Sequence, residues 1–398
     1  MSAFPHSRGP SRREVLRGGA LLAALAALSG RARAELLASL AAPSGASLAG
    51  APATQRVVLV VFGGGVRSRE TLLSDNTPNL RRIAEQGVTY PLVRVENNGH
   101  YAAALSIFTG ITENFGIREN DRSPHPTLFE YLRKGAGLSA ADVWLSTSGS
   151  EQETNYSHGT DPRYGAAYGA NLIGGEGIFN AEFRALLGGS AGRPDPARDS
   201  QLRRLRAAVR TPLPVPGRDG VGNDAEAAAR IESYILDELR GGTAAITGLG
   251  SNDAKALRVA RNLLPIFRPK LLAVTLRNAD VAHGSFNDYV SVIRRNDAEL
   301  GALHDAILGD PQLAASTALF VLPEFGRDRD LNARRGLDHG DDSPELHQVS
   351  LVAWGPDFRK GKVVNQEVRS LDVCPAIASM FRVQAGSALG RPLPGLFA

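Results

Sequence analysis

The sequence is poor in the residues that build disulfide frameworks and aromatic binding surfaces. Its 398 residues include one cysteine, Cys374, two tryptophans and 6% aromatic residues in total. A single cysteine excludes a disulfide within the chain. The low aromatic content leaves no stripe of rings of the kind that binds sugars or lipids. The apolar fraction of 43% and the charged fraction of 22% are those of an ordinary globular protein.

The N-terminus has an unusual composition. The stretch "SRREVLRGGALLAALAALSGRARA" joins Arg12 and Arg13 to an apolar run too short to span a bilayer comfortably, and it ends in an A-x-A sequence at Ala34. This pattern predicts a signal peptide over residues 1–34, cleaved after Ala34. The Ser-Arg-Arg-x-x-Leu setting indicates the twin-arginine export machinery as a partner. We therefore expect a periplasmic or secreted protein without a membrane span in its mature form.

Charge is unevenly distributed along the chain. The whole sequence has a formal net charge of +4, but residues 1–34 hold six arginines and one glutamate. Without them the net charge is about −1. Overall charge therefore gives no reason to expect nucleic-acid binding.

The remaining sequence alternates between strand-like and helical patterns. Residues 35–55 are rich in Ala, Ser and Gly and predict a flexible tether, so the folded domain is expected over 56–398. The domain opens with "QRVVLVVF", a β-branched run typical of a strand buried on both faces. Similar runs are "LVRV", "DVWLSTSGS", "KLLAVTLRNAD", "STALFVLPEFG" and "HQVSLVAWGP". We predict an α/β fold of three layers, with helices on both faces of a mostly parallel sheet.

Three of the predicted helices have distinctive patterns. One has Thr77 as its N-cap, Pro78 at its first position and Gly87 at its end. A second, "HYAAALSIFTG", is short and closes at Gly110. A third spans "FNDYVSVIRRNDAELGALHDAIL", whose apolar residues recur at helical spacing.

Residues 150–225 are the least regular part of the domain. They are rich in Gly, Pro and Arg, as in "RPDPARDSQLRRLRAAVRTPLPVPGRDG". We interpret them as an insertion that is either a cap over the substrate or a flexible excursion.

Candidate metal ligands follow three of the predicted strands. Asp280 and His283 follow "LLAVTLRN", Glu324 follows "ALFVLP", and His339 precedes "VSLVAW" as part of an Asp-His pair. In α/β sheets, ligands bind beyond the carboxyl ends of the strands. Oxygen and nitrogen donors that converge there suit a divalent ion, zinc first, with manganese or calcium as alternatives. Taken singly, each residue is equally compatible with a helix cap, a surface histidine or a solvated acid.

Several longer motifs resemble the alkaline phosphatase superfamily, in particular its sulfatase and phosphodiesterase members. They cover about residues 56–385 apart from the insertion, and they are "VVLVVFGGGVR", "TPNLRRIAEQGVTYPLVRV", "SIFTGITENFGI", "DVAHG" and "VSLVAWGPDFRKGK". The resemblance implies the fold of that superfamily, a divalent metal and a small anionic ester as substrate.

The sequence departs from the superfamily pattern at three places. Where those enzymes carry an aspartate after the first strand, this chain has Gly63 or Gly64. Where they carry a nucleophile, nine residues before the threonine of "TG", it has His100. Their later Asp-His pair falls at Glu324-Phe325. The segments "EFGRDRDLN…RGLDHGDD" and "GHYA" resemble instead an exported, sulfatase-like branch of the superfamily. This resemblance implies a shared set of site residues, namely His100, Glu324, Arg327, Asp338 and His339.

Two residues are candidates for catalytic roles. Arg327 has the planar fork of donors that binds an oxyanion, and its alternative role is to pair with nearby acids. His100 has three possible functional roles, namely metal ligand, general base and nucleophile, and its structural alternative is capping or packing. The sequence thus predicts a metal-dependent hydrolase of phosphate or sulfate esters. The alternative is a non-catalytic sulfatase-like envelope protein that binds a ligand or partner.

Overall fold

The computed structural model describes residues 52–115, 121–149, 151–174 and 242–398. The predicted signal peptide, nearly all of the tether and most of the predicted insertion lie outside these ranges.

A mixed sheet forms the centre of the fold. Its strands run in the order β4-β3-β5-β1-β6-β7-β2-β8, and β9 pairs with β2. All strand pairs are parallel except those that β7 makes with β6 and β2. The strands are β1 Arg56–Phe62, β2 Val88–Arg94, β3 Val143–Thr147, β4 Asn171–Gly174, β5 Leu271–Thr275, β6 Thr317–Pro323, β7 Gln348–Trp354, β8 Lys362–Val363 and β9 Val368–Arg369. The predicted mostly parallel α/β sheet is confirmed.

The sheet is covered on both faces because its central strands are apolar over most of their length. In β1, Val57, Leu59 and Val61 belong to one buried hydrophobic cluster. Val58 and Val60 point to the opposite face and belong to the other. Successive side chains of a strand alternate between its two faces, so a continuous apolar run requires a hydrophobic layer on each side.

The helices form the two outer layers. They are α1 Pro78–Glu85, α2 His100–Thr109, α3 Leu128–Gly135, α4 Ser251–Phe267, α5 Phe286–Gly309, α6 Pro311–Ala314, α7 Pro344–His347 and α8 Val373–Met380. Helix α2 ends as predicted at Gly110, which adopts a left-handed conformation with φ +72°. In the ranges that the structure describes, none of the helices has both the length and the apolar character of a membrane span.

The start of α1 is capped differently from the prediction. Thr77 occupies the N-cap position, but its hydroxyl makes no hydrogen bond to the helix. The free N–H groups of Asn79 and Leu80 donate instead to the carboxylate of Asp297, at 3.0 and 2.8 Å. Asp297 lies on α5, so this cap comes from a distant part of the chain.

Two further details differ from the sequence-based reading. The expected strand "LVRV" is longer, since β2 begins at Val88 and carries a register shift between Tyr90 and Val93. Part of the predicted insertion is ordered, because β4 joins the sheet beside β3. The rest of the predicted insertion, residues 175–225, lies outside the described ranges, and its role as a cap or a flexible excursion stays a prediction.

Candidate metal centre

The site lies beyond the carboxyl ends of three neighbouring strands. β1 lies between β5 and β6 in the sheet. The turns that follow these strands carry Gly63–Gly65 after β1, Asp280 and His283 after β5, and Glu324 and Arg327 after β6. Parallel strands present their carboxyl ends at one edge, which brings together residues that are far apart in the sequence.

A 3₁₀ helix explains the D-x-x-H spacing. Asn278–His283 forms this helix directly after β5. A 3₁₀ helix has about three residues per turn, so side chains three positions apart lie above one another. Accordingly, Nε2 of His283 lies 3.3 Å from Oδ1 of Asp280.

Two histidines of the site are oriented by carboxylates. Nδ1 of His100 lies 2.6 Å from Oε1 of Glu324, and Nδ1 of His283 lies 2.6 Å from Oδ1 of Asp338. An ionised carboxylate only accepts hydrogen bonds, so each pair puts a proton on Nδ1. Nε2 of each ring is thereby directed away from its carboxylate and towards the other donors, as in many histidine ligands of metals.

Four candidate donor groups converge at this point. One ligand atom from each of His100, Asp280, His283 and His339 lies within 4.8 Å of all the others. Nε2 of His100 is buried and forms no hydrogen bond with any described group, although it lies 3.0 Å from Oδ1 of Asp280. This close contact is an ion pair when His100 is protonated, and a bound cation would take the place of that proton.

Glu324 reaches the site but lies outside this group of four. Its Oε1 accepts hydrogen bonds from His100 and from the backbone N–H groups of Gly64 and Gly65, the latter at 2.8 and 3.3 Å. The structure thus places Glu324 behind His100, where it orients the ring. His100, expected at the nucleophile position, occupies the place among the donors that the sequence had assigned to Glu324.

The turn at Gly63–Gly65 has no room for the aspartate of the superfamily pattern that the sequence resembles. A Cβ atom at Gly63 would collide with the carbonyl oxygen of Leu276, and one at Gly64 would collide with the backbone of the 3₁₀ helix. Gly64 and Gly65 also have φ of +82° and +64°, which favour glycine. Backbone N–H groups of this turn bind Glu324, so the glycines support the site without supplying a ligand.

Arg327 is buried by the fold instead of facing the cavity. It is completely inaccessible, and Nη2 donates to Oδ1 of Asp280 at 2.6 Å. Nε donates to the carbonyl of Gly64, and Nη1 donates to the carbonyl of Leu337 and to Nε2 of His283, both at 3.1 Å. Of its two expected roles, the structure shows pairing with an acid.

The ionisation of the site reflects this dense packing. Burial disfavours the charged form of His100, but the negative charges of Glu324 and Asp280 outweigh it and raise its pKa to about 9. Burial likewise opposes ionisation of Asp280, yet the proximity of His100 and Arg327 holds its pKa well below the usual range. Burial, with the positive charges of His100 and Arg327, lowers the pKa of His339 to about 4. His339 is therefore neutral at physiological pH, the form in which a histidine binds a metal.

The two asparagines before α2 have structural partners. Nδ2 of Asn97 donates to the carbonyl of Glu113, and Nδ2 of Asn98 donates to the carbonyl of His339, both at 2.8 Å. They stabilise the turn that precedes α2. Asn98 in addition holds the backbone of a candidate ligand.

A cavity of about 290 Å³ opens beside the four donors. The wall of this cavity also includes Glu153, Tyr156, Thr275 and Arg277, none of which was selected from the sequence. Arg277 lies two residues after the end of β5, and Glu153 lies in the segment that follows β3. Their position after a buried strand could have identified them as site residues. The residues selected from the sequence were instead those with recognisable ligand spacing.

Comparison with known proteins supports the fold. No protein-family model and no curated protein matches the sequence. Solved structures do match. The chain is similar to the wild-type alkaline phosphatase PafA, with a TM-score of 0.54 and 10% identity over 88% of this chain and 100% of that chain.

Two sulfatase structures are also similar. A putative sulfatase from Bacteroides thetaiotaomicron VPI-5482 has a TM-score of 0.52 and 10% identity over 85% of this chain and 74% of that chain. BT1596, a 2-O GAG sulfatase, has a TM-score of 0.50 and 10% identity over 85% and 73%. At such low identity these matches define the class by fold alone: an α/β protein with the alkaline phosphatase-like architecture.

Proposed function

We propose that this protein is an exported, metal-dependent hydrolase of phosphate or sulfate esters. The observation that carries the proposal is the convergence of His100, Asp280, His283 and His339 at one edge of the sheet. The phosphatase and sulfatases of similar fold support the reaction class. The leader sequence supports export. The resemblance of the "EFGRDRDLN…RGLDHGDD" and "GHYA" segments to an exported sulfatase-like branch is part of the same proposal.

The donor set suits zinc better than calcium. Three histidine nitrogens and one carboxylate oxygen form a set that zinc accepts, whereas calcium takes oxygen ligands. Glu324 and Asp338 would orient two of the histidines, as outer partners of metal ligands do. When bound, such an ion lowers the pKa of a coordinated water and polarises the ester.

The chain's own residues have distinct roles in this proposal. Asp280, His283 and His339 would hold the ion, and His100 would complete the set through Nε2. Glu324 would keep His100 in place, and Arg327 would position Asp280. The alternatives for His100, general base or nucleophile, would use the same nitrogen and are separated by the metal count below.

A specific observation favours the second candidate, a non-catalytic envelope protein that binds a ligand or partner. Arg327 already pairs with Asp280 and donates to Nε2 of His283. His100 is protonated at neutral pH in the absence of a metal because its pKa is about 9. The charges of Asp280 and Glu324 are thus balanced by Arg327 and His100 without any ion, so these carboxylates do not require a metal as their counter-charge.

Metal analysis of the mature protein, purified without chelators, tests the proposal. We expect at least one equivalent of metal by plasma mass spectrometry, and its loss in an Asp280→Ala/His339→Ala double variant. An additional His100→Ala variant should also lose metal if His100 is a ligand, but should keep it if His100 is a base or nucleophile. Release of phosphate or sulfate from aryl esters then tests the reaction class.

His125→Ala is the matched control, since His125 lies outside the cluster. It should keep the metal content of the wild type. Absence of metal after soaking with zinc, together with equal thermal stability of wild type and double variant, would overturn the hydrolase proposal and leave the binding protein.

A further inference from the structure

We propose that Arg277, with Glu153 beside it, binds the tetrahedral oxyanion of the ligand that enters the cavity. This inference rests on the proposed function, because it assigns the residue that recognises the phosphate or sulfate group. Oxyanion binding, which the sequence predicted for Arg327, is thereby assigned to Arg277, an arginine that lies in no recognisable motif.

The backbone of Arg277 is held firmly at the start of the 3₁₀ helix. Its N–H donates to Oδ1 of the fully buried Asp253 at 2.8 Å, and its carbonyl accepts from the N–H of Asp280 at 3.0 Å. Arg277, Asp280 and His283 follow one another at intervals of three residues, and all three line the cavity. The same turn therefore carries a cation and two of the candidate metal donors.

The guanidinium of Arg277 is exposed and has no ion pair or hydrogen bond among the described residues. Its positive charge nevertheless acts on Glu153 and Tyr156, two other residues of the cavity wall. The charged group therefore lies close to that wall. The guanidinium of Arg327, by contrast, already donates hydrogen bonds to Asp280, His283 and backbone carbonyls.

Glu153 completes the wall as a hydrogen-bonding group of low charge. Glu153 is 5% exposed, and its Oε2 accepts hydrogen bonds from the N–H of Gly149 at 3.1 Å and the hydroxyl of Thr275 at 3.3 Å. Burial raises the pKa of Glu153 to about 7, although the hydrogen bond from Gly149 and the charge of Arg277 act against this. Near neutral pH a large fraction of this carboxyl group is protonated and does not repel an anion.

A planar guanidinium beside a neutral acid suits a tetrahedral oxyanion. Arginine offers two parallel N–H donors to phosphate or sulfate, and a protonated carboxyl group offers an O–H. A cationic ligand would meet Arg277 first and is disfavoured. The wall therefore selects for an anionic group placed between Arg277 and the four donors.

Sulfate and phosphate binding by calorimetry tests this inference, with acetate as a carboxylate probe. Wild type, Arg277→Ala, Arg277→Lys and Glu153→Gln are compared, both metal-loaded and after chelation. Arg359→Ala, an exposed arginine outside this cavity, is the matched control. Metal content and thermal unfolding are measured on every sample.

We expect Arg277→Ala to weaken sulfate and phosphate binding by at least about tenfold, because a charged hydrogen bond is lost. Arg277→Lys should recover part of the affinity, Glu153→Gln should retain it, and Arg359→Ala should match the wild type. Acetate should bind more weakly than either oxyanion. Metal content should be unchanged in all variants.

Equal sulfate affinity of wild type and Arg277→Ala would overturn the inference, as would a wild type that holds metal but binds neither oxyanion. Loss of the proposed function has a different signature, since the wild type would then contain no metal. The chelated samples would still report whether the oxyanion depends on Arg277.

Discussion

Asp253 and Asp280 both lie against the turn that follows β5, but their partners differ in kind. Asp253 is fully buried, and it accepts hydrogen bonds from neutral donors: the backbone N–H groups of Arg277 and Asn278 and the amide of Asn296. Burial raises the pKa of Asp253. This carboxylate joins α4, α5 and the 3₁₀ helix and holds the turn in place.

Asp280 sits in a different electrostatic environment. Its side chain is about a third exposed, and its Oδ1 lies within 3.3 Å of His100, His283 and Arg327. Three ionisable neighbours around one oxygen at a cavity are typical of a functional site, whereas the neutral donors around Asp253 satisfy a structural need. The difference separates a carboxylate that supports the site from one that belongs to it.

Removal of Asp253 should have the largest effect on stability. We expect Asp253→Ala to lower the free energy of unfolding by about 3 kcal/mol or more, because it leaves buried N–H groups without an acceptor. Urea denaturation measures this loss. Asp305→Ala, which removes an exposed pair with Arg82, should cost less than about 1 kcal/mol. A loss of similar size in the two variants would contradict the structural role of Asp253.

The orienting carboxylates should matter for metal binding more than for folding. We expect Asp338→Asn and Glu324→Gln to weaken zinc affinity by about 10–100-fold, because each frees a histidine ring from its fixed orientation. Competition with a chromophoric chelator measures the affinity. Asp330→Asn, an exposed acid of the same loop, is the control and should bind zinc like the wild type. Equal zinc affinities in all four proteins would show that Asp338 and Glu324 do not orient metal ligands.

The charge balance around Asp280 should appear in the pH dependence of the metal-free protein. His100 has its pKa raised from 6.5 to about 9, so the native state keeps a proton that the unfolded state releases in this range. The stabilisation is complete below pH 6.5 and is lost as the pH rises towards 9. We expect the free energy of unfolding to fall by up to about 1.4 kcal/mol per pH unit.

Urea denaturation with chelator present, repeated across this pH range, measures the slope. His100→Gln cannot bind the extra proton, so its stability should vary less with pH. The same slope in both proteins would mean that His100 is not the titrating group.

Asp297 provides a smaller test of the same distinction. Like Asp253 it accepts hydrogen bonds from N–H groups, here at the start of α1. We expect Asp297→Ala to cost about 1 kcal/mol, the usual effect of losing a helix cap. Thr77→Ala should cost less than about 0.5 kcal/mol, because the Thr77 hydroxyl caps nothing. Thermal and urea unfolding distinguish the two, and the reverse order would restore Thr77 as the cap.

Much of the fold could be predicted because its signals are local. The apolar run of β1 predicted a strand buried on both faces, and the helical spacing in α5 predicted its buried face, including Tyr289 and Leu300. Gly110 predicted the end of α2 because a left-handed residue closes a helix at little cost when it is glycine. Short β4 was missed, because its few residues lie in a Gly-rich segment and gain their strand structure by pairing with β3.

The candidate site could be predicted only in part. Asp280, His283 and His339 were selected because they flank buried strands, and the structure brings their ligand atoms together. The spacing could not show that Glu324 stands behind His100, since 224 positions separate the two residues. The sequence reading also missed Glu153 and Arg277, whose meaning depends on which side chains face the cavity.

The sequence by itself determined the central strands, the positions of α1, α2 and α5 and several of the residues that meet at one edge, because strand ends and hydrophobic periodicity are local properties. Only the tertiary structure decided which of those residues are candidate metal donors, which orient the donors and which face the cavity. Arg327 and Arg277 are identical in chemistry, yet one is buried against Asp280 and the other is exposed at the cavity. Burial determines this difference. A charged group without water, such as Arg327, must be paired within the protein, whereas Arg277 at the cavity remains available to a ligand.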